Sequence, residues 1–166
     1  MELTAQVPSP IDARPLRVVE TSARRGGPQD LWDRHGGSAY VLACALLGNE
    51  AAVAEAVRLA MADLARSGEV RSDAEARRVL ARSVYRHARD LPSGTADAHR
   101  LPRAMVWLSR LARLQRASLA LCLYGGLTHR EAAALLDVPP ATVADLLIAG
   151  LREVSRLAAA DAATCA

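Results

Sequence analysis

The chain has 166 residues, 51% of them hydrophobic, which excludes a disordered chain and allows one domain or two small ones. Aromatic residues make up 3% and Phe is absent, so any core must be built mostly from Ala, Leu and Val, a composition that favours packed helices. The net charge of +3 permits a nucleic-acid partner but does not require one, and every basic residue is Arg.

Cys44, Cys122 and Cys165 have no paired spacing, and none of the four His stands at ligand spacing from them. No metal site, cofactor or disulfide framework is therefore expected. No basic-then-apolar leader and no spanning apolar run is visible, which predicts a cytoplasmic protein without membrane contact.

Residues 1–27 read as a flexible tail, with Pro8, Pro10, Pro15 and the Arg24-Arg25-Gly26-Gly27 cluster raising the cost of order. A helix is predicted from near Asp30, a good N-cap, with the stripe Leu31, Trp32, Ala39, Leu42 and Leu46 facing inward. Gly36 and Gly37 weaken its middle, and Gly48-Asn49 ends it. A second helix is predicted over 50–66, buried along Val53, Val57, Ala60, Met61 and Leu64, and stopped by Ser67-Gly68. Ser72 or Asp73 can cap a third, running to about Asp90 along Ala76, Val79, Leu80, Val84 and Ala88. Pro92, Ser93, Gly94, Thr95 and Pro102 then mark a linker over 91–104. Helical periodicity returns at Met105 and continues to about Ala160, leaving 161–166 as a frayed tail. The predicted fold is all-α: a helical domain over 28–90, the linker, and a second helical domain over 105–160.

The strongest local signal lies in residues 127–143. Thr128 and Glu131 have the spacing of a capping box, in which each side chain takes up a free amide of the other's backbone. Ala132, Leu135 and Leu136 form the buried face, and small Ala133 lets a second helix cross closely. Asp137 stands at the turn and tolerates a left-handed backbone. Pro139 and Pro140 end the first helix and suit the start of the next, whose inward residues are Val143, Leu147, Gly150, Leu151 and Val154. Two helices so joined are a helix-turn-helix, whose second helix can enter a DNA major groove.

Residues 111–154 resemble the C-terminal promoter-reading domain of bacterial sigma factors of the extracytoplasmic-function type. The matching residues include Leu111, Gln115-Arg116, Leu119, Gly125-Gly126-Leu127-Thr128, Glu131, Ala133, Leu136, Thr142-Val143 and Gly150-Leu151. Residues 31–66 look like the family's N-terminal domain, which docks on RNA polymerase and opens the promoter, and residues 80–90 resemble that domain's final helix.

The resemblance implies core RNA polymerase and promoter DNA as partners. It assigns polymerase contact to Glu55, Arg58 and Leu59, although the last two stand where Gln and Glu are usual. Met61 and Ala65 replace the usual Phe and Trp. Promoter opening falls to Arg82, Tyr85 and Arg86, although a packing role is the favoured reading of Tyr85. DNA contact falls to Thr128, His129, Arg130, Ala141, Thr142, Asp145 and Arg152. The recognition helix departs from the family, carrying Ala144, Asp145, Leu146 and Ala149 where Lys, Ser and Arg are usual. Phosphates need cations, and Asp145 repels them, so weak DNA binding is expected.

The outer side of that helix, Leu146, Ile148 and Ala149, is apolar. It could pack on the rest of the chain or hold an anti-sigma or other protein partner. A degenerate, partner-binding regulator with weak or no DNA binding is thus the alternative to an active sigma factor. No phosphate loop, nucleophile-base pair or ligand cluster suggests an enzyme, and the His residues read as surface or cap residues.

Overall fold

Seven α-helices, and no strand, account for most of the described residues, 28–67, 72–92 and 102–164, in the computed structural model. In chain order they are α1 (Pro28–Leu47), α2 (Glu50–Arg66), α3 (Asp73–Asp90), α4 (Arg103–Ser109), α5 (Arg113–Leu123), α6 (His129–Leu136) and α7 (Pro140–Thr164). The expected tail over 1–27, most of the expected linker, Gly68 and Cys165 lie outside the described residues.

Helix α2 has the bounds that the sequence predicts. The Asn49 side chain accepts from the amides of Ala51 and Ala52, at 3.0 and 3.2 Å, and so starts it. At its end the Ser67 amide donates to Asp63 and Leu64. Of the two candidates Ser72 and Asp73, Ser72 caps α3, accepting from Glu75 N–H at 3.2 Å.

Helices α1, α2 and α3 pack on one another, α5, α6 and α7 do the same, and α1 also meets α4 and α5. One continuous core results, from Leu42, Val53, Val57, Leu64, Leu80 and Val84 to Leu119, Leu121 and Val143. Each such Leu or Val contributes about 1.5–3 kcal/mol by leaving water. Trp107 of α4 adds a polar tie, its indole N–H donating to Asp161 of α7 at 2.7 Å.

Several expectations are corrected. Helix α1 starts at Pro28 instead of Asp30, since proline's fixed φ suits a first turn. It also runs unbroken through Gly36, where an added Cβ would lie 3.1 Å from the Trp32 ring. That ring covers the glycine and is itself 49% exposed, so Trp32 is not an inward residue. The periodicity after Met105 is broken at Arg110–Ala112, where α4 gives way to α5 with Leu111 buried. Helix α7 runs to Thr164, past the expected end at Ala160, with Asp161 tethered to Trp107. His35 is a core residue, 4% exposed, with Nε2 3.6 Å from the Asp73 carboxylate.

Candidate DNA and partner interface

The helix-turn-helix begins at Thr128, whose backbone is extended and whose Oγ1 accepts from Glu131 N–H at 3.2 Å. Glu131 Oε2 accepts in return from the Thr128 amide and hydroxyl, each at 2.9 Å. The predicted capping box is therefore closed in both directions. The other Glu131 oxygen accepts from Arg82 of α3 at 3.1 Å. The Thr128 amide bond first, then the Thr128 hydroxyl and nearby Arg82 and Arg78, hold the Glu131 carboxyl below the usual carboxylate range.

Asp137 ends α6 in the left-handed conformation, φ 57° and ψ 48°. The amides of Asp137 and Val138 both donate to Ala133 C=O, the second at 3.1 Å. After this turn the chain bends by 107° from α6 into α7, within the range of DNA-reading helix pairs. Gly150 lets α7 lie close against α5: an added Cβ would come 2.7 Å from Leu119 Cδ1.

Val143, Gly150 and Leu157 form the buried line of α7, with Leu147 and Val154 partly buried beside it. Leu151, expected to face inward, is 49% exposed, because one residue past Gly150 the helix has turned its side chain away from α5. The opposite face carries Ala141, Thr142, Asp145, Ile148, Ala149 and Arg152, all exposed. Leu146 is half-buried at its edge. His129 and Arg130 are exposed in the first turn of α6. The expected DNA-contacting residues thus lie at the two helix starts and along one outer face of α7.

On α2, Glu55 and Arg58 hold each other in a two-point ion pair, Nε to Oε2 at 2.9 Å and Nη2 to Oε1 at 2.7 Å. That hydrogen bonding keeps the Glu55 carboxyl low. Leu59 beside them is half-buried. Arg58 also edges an open apolar groove of about 470 Å³, lined by Leu31, Trp32, Tyr40 and Met61 among others.

The three residues expected at an opened promoter are separated. Arg82 and Arg86 line a polar pocket of about 380 Å³ with Arg66, Asp63 and Ser83. Tyr85 instead packs against the core and edges a small gap with Arg89, Arg113 and Arg116. Sequence reasoning misses the Asp63 cluster, which joins α2 to α3. Asp63 accepts from the Ser83 hydroxyl and from Arg66 at 2.5 Å, and His87 Nε2 lies 2.9 Å away. Ser83 and then His87 hold the Asp63 carboxyl below its usual range. The i,i+4 spacing of Ser83 and His87 is a signal for a shared partner, but nothing local points to Asp63. Among the described residues no group of acidic, His and Cys side chains could hold a metal ion.

Residues 105–153 match the sigma-70 region 4 family, the segment that holds the helix-turn-helix. No curated protein matches the sequence. Over most of its length the chain is similar to a solved structure, that of CnrH in complex with the cytosolic domain of CnrY. The likeness has a TM-score of 0.62 at 25% identity, covering 84% of this chain and 92% of CnrH. The region 4 match over the helix-turn-helix and the likeness to CnrH over most of the chain together support the resemblance to a sigma factor. They support sigma-factor-like regulation of transcription and a non-enzymatic role.

Proposed function

We propose that the chain binds core RNA polymerase and directs it to promoter DNA. The helix-turn-helix carries this reading: a closed capping box, a left-handed turn at Asp137 and an α7 start that leaves Ala141 and Thr142 open to a groove. His129, Arg130 and Arg152 are then its phosphate and base contacts, and Asp145 lies on the same face. Glu55, Arg58 and Leu59 on α2 contact the polymerase. Arg82 and Arg86, with Arg66 across the pocket, receive the backbone of opened DNA. Residues 28–90 act as the polymerase and promoter domain and residues 105–160 as the upstream-reading domain. Such a factor works in the cytoplasm, and no single described helix is long and apolar enough to cross a membrane.

A second reading is favoured by the outer face of α7. A groove-reading helix needs cations, yet this one presents Asp145, 51% exposed Ile148 and 49% exposed Leu151. CnrH is held by a protein domain in its solved structure. In this reading the chain is a degenerate regulator that grips a protein, of the anti-sigma kind or another, through Leu146, Ile148 and Ala149.

Size-exclusion chromatography of the purified chain with core RNA polymerase separates the two. Co-elution at moderate salt, with promoter DNA retained by the complex, supports the active factor. A folded chain that elutes apart from polymerase defeats it in favour of the partner-binding regulator.

A further inference from the structure

Helix α7 carries a charge pattern that reads as its own complement when reversed. Asp145 and Arg152 lie seven residues apart, about 10.5 Å along the axis, on one exposed side of the helix. Within the described residues neither has an ion-pair partner, whereas Glu153 and Arg156 hold each other at 2.5 Å. Beside the two unpaired charges runs an apolar row at i, i+4 and i+7: Ala144, half-exposed, then Ile148 and Leu151, 51% and 49% exposed. That spacing is the seam of a helix that packs on another helix.

We infer that this face binds a second copy of the same chain, the two α7 helices lying antiparallel about a two-fold axis level with the Ile148–Ala149 bond. In that register Asp145 of each copy meets Arg152 of the other, giving two reciprocal ion pairs. The two Ile148 side chains meet across the axis at the centre of the contact, and Leu151 and Ala144 of both copies extend the apolar row. Small Ala141 and Ala149 leave room for close approach. A two-fold contact must be made by one surface that complements itself, and opposite charges placed symmetrically about an apolar centre satisfy that condition. A foreign helix would need only an outward match. The face engaged is the one that would enter a DNA groove, so pairing and DNA reading exclude each other. The inference does not depend on whether the chain reads promoters.

Two charge reversals test it. Asp145→Arg leaves two cations on the face and Arg152→Asp leaves two anions, so each variant repels its own copy. A contact of two helices is small, so sedimentation velocity should run up to concentrations on the order of 100 μM. The wild type should shift toward a dimer with concentration, and each single variant should lose at least about tenfold in self-association. Mixing the two variants should restore the dimer, since every juxtaposed pair is then opposite in charge. The double variant should also dimerise alone. Circular dichroism should show unchanged helix content in all of them. A wild type that stays monomeric throughout the range overturns the inference. So does a mixture that associates no better than its separate components.

Discussion

Two side chains make opposite contributions to the second half of the molecule. Thr128 satisfies an amide at the start of α6 and is itself held by Glu131. Thr128→Ala should lower stability by about 1 kcal/mol through the lost cap, read as a drop in Tm. An unchanged Tm would mean that the box carries no energy. Ser118 is fully buried in α5, and its hydroxyl has no hydrogen-bond partner among the described residues. Removing the hydroxyl relieves an unmet polar group without opening a large hole, so Ser118→Ala should stabilise by about 1 kcal/mol. A loss of stability on chemical denaturation would show that the hydroxyl is bonded after all.

At the scale of helices, the face that α7 turns outward decides how it would meet DNA in the proposed role. Arg at Leu146 and Ala149 is the change that the sequence suggests for stronger binding, but Leu146 is half-buried and Ala149 exposed. Ala149→Arg is therefore the cleaner variant. It should tighten DNA binding at low salt and steepen the logarithmic salt dependence by about one unit. An unchanged slope would mean that α7 does not face the groove. Much of this level is legible in the sequence, because Asn49, Ser72, Thr128 and Asp137 act on amides and carbonyls within a few residues. Which long apolar residues stay wet is not. In helices made of Ala, Leu and Val the contrast between faces is low, so Trp32 and Leu151 read as inward although each is 49% exposed. The α4–α5 break is hidden for the same reason: Pro102 and Ala112 start their helices without a side-chain cap.

Over the whole molecule, two carboxylates tie helices that are distant in sequence. Asp63 joins α2 to α3 through Ser83 and His87, and Glu131 joins α6 to α3 through Arg82. No local spacing reveals the second tie, whose partners lie 49 residues apart. Both carboxyls are held below their usual range, so the folded chain binds their protons less readily than the unfolded one. Their contribution is then fully present above the unfolded values, about 3.9 for Asp and 4.3 for Glu, and is lost as pH falls through the lower folded values. Asp63→Asn with Glu131→Gln removes that titration. At pH 7 the double variant should be less stable than the wild type, and thermal melts should show the gap closing below about pH 4. A gap of constant size down to acid pH would mean that shape and hydrogen bonding alone hold these ties. Because Glu131 closes the capping box and also grips Arg82, acid should loosen the helix-turn-helix and its seat on α3 together. Hydrogen exchange in α6 should therefore accelerate over the same pH window in which the melts converge, after correction for the intrinsic pH dependence of exchange.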